Sequence, residues 1–245
     1  MKFTPLMAAL GLWATIMVAS PVRAHEVEPL IIDLAPSGRG ATATMRVTNR
    51  DPVPVAVEIY AERRLIDELG NETRERADDD FLLVPAQLRV EPGQTATFRI
   101  RYIGEPVERS VGYAVTVAQL KLENVEQTGV QILVNFAASV HVVPRNAKSN
   151  MTASAAEIVA GSDGKPMVNF VLANEGNRHQ GMAAGKITLT NAAGAEFVLE
   201  GDALRETLKH TLIPAMASRR VSAPLPEGWP TEGSVSIALS VPGAS

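Results

Sequence analysis

The stretch FLLVPAQLRVEPGQTATFRI, residues 81–100, decides how the rest of the chain is read. It opens on an apolar run closed by Pro85, turns at Glu91-Pro92-Gly93, and then alternates. From Thr95 to Tyr102, Ala96, Phe98 and Ile100 share one face, with Thr97, Arg99 and Arg101 opposite. Period two in such residues marks a strand buried on one side. Working outward, the same pattern returns at Ala41, Ala43, Met45 and Val47, then at Val53, Val55, Val57 and Ile59. It returns again at Val111, Tyr113, Val115 and Val117, and at Val130, Ile132, Val134 and Phe136, running on towards Val143. Turn signals separate the runs: Ala35-Pro36-Ser37-Gly38, Asn49-Arg50-Asp51-Pro52 and Ile103-Gly104-Glu105-Pro106. Short strands at this spacing predict an all-β chain, built as antiparallel sandwiches of immunoglobulin type. Residues 62–80 differ. They are dense in charge and read as a solvated loop with room for a short strand or helical turn.

The strand pattern stops at Pro144 and restarts after Thr152. Residues 25–144 therefore form an expected first domain, 145–152 a linker, and 153–245 a second domain. The second shows weaker alternation, with runs at Val168, Phe170 and Leu172, at Ile187 and Leu189, at 221–225 and at 235–241.

Composition narrows the function. With 245 residues, 46% of them hydrophobic, the chain can bury a core. A net charge of −4 provides no basic field for nucleic acid. The absence of cysteine excludes disulfides, thiolate metal sites and cysteine nucleophiles. No Gly-x-Ser-x-Gly elbow, phosphate-cradling Gly-rich loop or His-Glu-x-x-His is present, so an enzyme is not expected.

Four histidines leave little for a multi-histidine metal centre. His141 lies in a strand pattern and reads as a packed or edge residue, and His179 reads as part of a turn. Asp78-Asp79-Asp80 lacks the spacing of a calcium loop and reads as a solvated charge run. No cofactor or resident metal is expected. The alternative worth naming is copper at His25, whose imidazole would stand beside a free amine if the chain began there.

Residues 1–24 read as a secretory signal. Lys2 supplies the basic start, Leu6 to Ala19 the apolar run, and Val22-Arg23-Ala24 the cleavage site, with the cut after Ala24. The run is shorter than the ~20 apolar residues a spanning helix needs. The mature chain is thus expected to enter no membrane and to reside in the periplasm of a Gram-negative envelope.

The 81–100 block resembles the periplasmic pilus chaperones of the PapD-like family: a strand ending in proline, an apolar pair, a Pro-Gly turn, then an alternating strand ending in Arg and an aliphatic. Other segments similar to the family fall in order. They are Val47-Thr48-Asn49, then Ser110 before Val111-Gly112-Tyr113, then a long strand ending at Pro144. In the second half they are Asn174-Glu175-Gly176-Asn177 and the segment 212–221. The resemblance spans residues 27–241 and is most specific at 81–100.

It implies two immunoglobulin-like sandwiches set as a boomerang. It also implies that the chain donates a strand, residues 130–136, to secreted pilus, fimbrial or coat-type subunits, and hands them to an outer-membrane usher. Val130, Ile132, Val134 and Phe136 would fill the subunit groove. The residues alone leave open that these side chains face the protein's own core, and that the protein is a surface or adhesive component of the same fold.

The family anchors the client's C-terminal carboxylate with two basic residues. Counting from Asn49 and from Pro144 places Asp33 and Ser139 at those positions, and neither is basic. Arg39, Arg46, Arg99 and Arg101 stand as substitutes. The family's Asp-Arg-Glu-Ser also reads Val107-Glu108-Arg109-Ser110 here, so the expectation is a divergent member.

Overall fold

The computed structural model describes residues 25–121 and 132–242. The expected signal segment, residues 1–24, and Val130 lie outside them. The first unit contains β1 (Glu26–Glu28), β2 (Ile31–Leu34), β3 (Thr42–Thr48), β4 (Val55–Ile66) and β5 (Glu72–Arg76). It continues with β6 (Phe81–Val84), β7 (Gln87–Val90), β8 (Thr95–Tyr102), β9 (Val111–Leu120) and β10 (Asn135–Val142). The second contains β11 (Met151–Ala160), β12 (Pro166–Asn174), β13 (Gln180–Gly181), β14 (Lys186–Thr190) and β15 (Glu196–Glu200). After these come α1 (Gly201–Leu208), β16 (Leu212–Ile213), β17 (Ala217–Pro224), β18 (Gly233–Ser234) and β19 (Ser236–Ser240).

In the first unit a sheet of order β1-β3-β8-β6 packs on one of order β2-β10-β9-β4-β5, with β7 also on β4. The alternating residues meet between them: Met45, Val47, Phe98 and Ile100 from one sheet, Val57, Val115 and Val140 from the other. The first strand of the sandwich is split. β1 pairs with β3, and after Pro29 the chain crosses to the second sheet, where β2 runs parallel to β10. In the second unit the sheet β17-β12-β11-β18 packs on β15-β14-β19. Phe170, Leu172, Ile187, Leu189 and Val221 form a second, separate core. The chain is two immunoglobulin-like sandwiches. β11 begins at Met151, so the last two positions of the expected linker are already strand.

Two expectations need correction. Residues 62–80 hold the short strand and the helical turn that the sequence allows for, at 72–76 and 78–80, but the stretch is a paired hairpin rather than a loop. β4 runs to Ile66 and pairs with β5, placing Glu62 opposite Arg76 and Arg63 opposite Glu75. Cross-strand opposite charges stabilise the ladder where neither face meets a core, and that is why no apolar alternation announced it. Asp67 closes the hairpin by accepting the amides of Leu69 (2.9 Å) and Asn71 (2.8 Å). The second correction is α1, which the strand reading missed. Its signal is the four-residue spacing of Leu204 and Leu208, both buried in the second core.

Each sandwich has one buried asparagine at the end of an inner strand. Asn49 follows β3, is fully buried, and donates Nδ2 to the carbonyls of Val53 (2.8 Å) and Val90 (2.9 Å). Its Oδ1 accepts the Asp51 amide at 2.9 Å. Asn174 ends β12 and donates to the carbonyls of Arg178 (2.7 Å) and Pro214 (3.1 Å), while its Oδ1 accepts the amides of Asn150 and Gly176. Alanine at position 49 would strand a buried carbonyl. Such a loss costs about 1–3 kcal/mol. Asn49→Ala is therefore expected to lower the unfolding free energy of the first unit by that amount, read as a lower urea midpoint with the unfolding slope unchanged.

Candidate functional site

β10 is the strand on which the site is built. β9 covers one of its edges along the whole length. β2 covers the other only from Ser139 to Val142, beginning with the Ser139 amide on the Leu30 carbonyl at 2.7 Å. From Asn135 to Ala138 that second edge has no strand partner among the described residues. The chain before β10 overhangs the sandwich. Ile132 is 76% exposed and Leu133 46%. Val134 is half-buried, and its amide donates to the Gln119 side chain at 3.0 Å.

The four expected donor residues are therefore not equivalent. Ile132 is free and Val134 partly so. Phe136 packs against the protein's own first core, with its ring 4.9 Å from that of His25. His25 is itself buried, and neither ring nitrogen has a hydrogen-bond partner among the described residues. Burial lowers its pKa, against an opposing pull from Asp51. His25, Pro29, Leu30 and Phe136 line an open hollow of ≈ 660 Å³ under the overhang.

The opposite face of the same sheet looks into the cleft between the two sandwiches. Asp33 on β2 lies opposite His141 on β10. Ser139 lies two residues before His141, and Arg64 on β4 reaches across β9 to donate to Ser139 Oγ at 2.6 Å. Gly112, the β9 residue opposite His141, lies between the His141 ring and the Arg64 side chain. Arg64 also pairs with Glu72 of β5, whose carboxylate meets His210 Nε2 of the second unit at 2.9 Å.

Both positions expected from counting, Asp33 and Ser139, thus stand in the cleft. The proposed substitutes do not. Arg46 pairs with Glu28 at 3.2 Å, Arg99 and Arg101 are exposed on β8 of the other sheet, and Arg39 sits in the turn after β2. The cation beside Ser139 is Arg64, which the sequence reading had assigned to a loop.

The second unit supplies the other wall. The Ser110 amide donates to the Asn177 carbonyl (2.8 Å), and the His179 amide donates to Ser110 Oγ (2.6 Å). This seats the loop after β12, so Arg178 pairs with Asp33 and the His179 ring stacks on that of His141, centroids 3.7 Å apart. His141, His179 and Asp33, distant in sequence, form one cluster. The tip of the β4–β5 hairpin docks nearby, with the Arg220 amide on the Glu68 carbonyl at 2.7 Å. Gly70 has φ 84°. A side chain there would come within 2.7 Å of the Arg219 guanidinium and the Leu208 carbonyl.

Charges in the cleft are mutually set. His141 first, then His179 and Arg178, hold the Asp33 carboxyl below its ordinary range against the effect of burial. Burial, reinforced by neighbouring His141, pulls His179 down to about 4. Burial pushes Glu72 upward, but the hydrogen bonds and charges of Arg64 and Arg74 outweigh it and hold the group at about 2.

Comparison with solved structures gives the fold. The class 5 fimbriae chaperone CfaA aligns over 89% of this chain and 99% of its own, with TM-score 0.55 and 15% identity. The Salmonella enterica SafB chaperone, solved in complex with SafA pilin, aligns over 91% and 98%, with TM-score 0.56 and 16% identity. The chain has the fold of the fimbrial chaperones. The E. coli chaperone DraB matches over 89% of this chain and 96% of its own, with TM-score 0.52 and 16% identity. No protein-family model and no curated protein matches the sequence.

The Glu72 pairing makes a pH prediction. Its folded pKa lies below the ordinary 4.5, so its stabilisation is complete above pH 4.5 and is lost as pH falls through about 2. A shift of that size corresponds to about 3 kcal/mol. Urea unfolding of Glu72→Gln across this window is expected to show a flatter dependence on pH than the parent protein. An unchanged slope would assign the acid sensitivity to another carboxylate.

Proposed function

We propose that the protein is a periplasmic, ATP-independent chaperone that captures secreted pilus-type subunits by strand donation from residues 130–136 and delivers them to an outer-membrane usher. The observation that carries this reading is the overhang itself. A short apolar segment, Ile132-Leu133-Val134, stands outside its sandwich and leads into a strand edge left open to Ala138. An isolated segment of this kind is a liability for aggregation. It becomes useful when a partner lacking one strand adds itself to the edge. Backbone hydrogen bonds then give affinity, and alternate side chains fill the partner's groove. Burying a side chain such as that of Ile132 contributes about 1.5–3 kcal/mol.

Phe136 has a different part in this reading. It is already committed to the first core, so the donor set is Val130, Ile132 and Val134, and Phe136 anchors the base of the strand. Arg64 takes the carboxylate role that neither Asp33 nor Ser139 can fill, since its guanidinium stands at Ser139 in the cleft. The neighbours that share the fold include a chaperone–pilin complex and a chaperone–tip adhesin complex, which supports subunits of this class as clients. A surface or adhesive protein would keep this strand covered, and the exposure of Ile132 favours the chaperone.

Co-purification from periplasmic extract tests the proposal. Ile132→Asp is expected to release bound subunits while leaving the unfolding midpoint unchanged, because the side chain is exposed. Phe136→Ala is expected to destabilise the first unit by about 3 kcal/mol. If Ile132→Asp retains its subunits, or if the parent protein captures none, strand donation is wrong.

A further inference from the structure

We propose that Asp33, His141 and His179 form a binding site for a divalent transition metal of the zinc type, shared between the two sandwiches. The donor set is two imidazoles and one carboxylate, a combination suited to zinc and its neighbours. Asp33 Oδ1 lies 3.4 Å from His141 Nδ1 and 3.8 Å from His179 Nε2. One donor atom from each of the three residues falls within 4.8 Å of the others. Ligands about 2.0–2.2 Å from a tetrahedral zinc stand about 3.4 Å from one another, so the donor atoms are already near coordination spacing.

A second observation points to a ligand. His141 is only 3% exposed, and its Nδ1 faces Asp33 Oδ1 at 3.4 Å without an aligned hydrogen bond, while Nδ1 of His179 has no hydrogen-bond partner among the described residues. Buried polar atoms without partners call for a specific explanation, and a cation supplies one for His141 Nδ1 directly.

The surroundings suit the assignment. Arg178 binds the other Asp33 oxygen, leaving Oδ1 to face the imidazoles. Ser139 Oγ, 3.5 Å from His141 Nε2 and fixed by Arg64, sits where an outer partner would orient the ring. The rings lie nearly parallel, 19° apart, so their lone pairs run side by side. Closing the site requires one ring to turn about χ2, a broad and soft torsion, and His179 is carried by a loop. The positive charges of Arg178 and Arg64 oppose a cation, and the carboxylates of Asp33 and Glu72 offset them. Three protein ligands leave a position open towards the cleft. Two ligands come from the first sandwich and one from the second, so an ion bound here would tie the two together.

Calorimetric titration of the untagged full-length protein with zinc chloride at neutral pH tests the site, with cobalt(II) as a spectroscopic probe of the coordination sphere. The expected result is one equivalent bound per chain, a rise in the thermal midpoint, and tetrahedral cobalt absorption. His141→Ala removes a buried ring and could fail to fold, so the deciding variants are His179→Ala and Asp33→Asn. Each is expected to weaken zinc at least about tenfold, by loss of a ligand, while His25→Ala and His210→Ala leave it unchanged. No saturable binding overturns the proposal, as does binding that survives both deciding variants or that is lost with His25→Ala.

Discussion

The alternation of β10 is the constraint on which the rest depends. Phe136, Ala138, Val140 and Val142 point into the first core, while Ser139 and His141 point into the cleft. A slip of one residue would exchange the two sets, burying a serine and an imidazole in the core and exposing valines to the second sandwich. Core packing therefore fixes the cleft chemistry without any separate device. Ahead of the strand, Val134 is half-buried and Ile132 exposed. One strand thus serves three surfaces, and its register is held by β9 along its length and by β2 over its last four residues.

The cleft follows from what that register brings together. The first sandwich supplies the carboxylates and the second most of their partners: Asp33 with Arg178, Glu72 with Arg64 and His210, Glu68 with Arg220. Partly buried charges are costly to leave single and gain most when held in a network. Arg64 joins it by reaching across the intervening strand to Ser139. The β4–β5 hairpin then acts as a polar strut, reaching from the first sandwich to the carbonyls and guanidinium groups of the second.

Much of this was legible in the sequence. The β8 alternation from Thr95 to Tyr102 matches the observed strand end to end, because a half-buried strand writes its burial directly into period two. The buried asparagines were visible as turn residues, and the cleft positions of Asp33 and Ser139 followed from counting along strands. The hairpin, by contrast, has no apolar face to write, and charge alternation along it looks like solvated loop. The cluster of Asp33, His141 and His179 was invisible for another reason. It depends on a parallel pairing across 108 residues, Asp33 beside His141, and on the docking of a loop from the other sandwich. Neither leaves a local signal.

A polar junction between the sandwiches suits the strand beside it. Interfaces within a chain that rest on hydrogen bonds and ion pairs permit relative movement more readily than apolar ones. On the proposed reading, a strand that accepts a partner along an open edge gains from that freedom, since the partner's own groove dictates the final geometry. On that reading the cost is an apolar segment exposed before a partner binds. Among the described residues of the segment, Ile132 and Leu133 stand clearly free, Gln119 holds the Val134 amide, and Asn135 ends the run with a polar side chain whose oxygen accepts the Gln119 amide. On the proposed reading, a like chain could only pair with the open edge, whereas a partner that also supplies a groove buries the side chains as well, so selectivity comes from the shape of what the partner lacks.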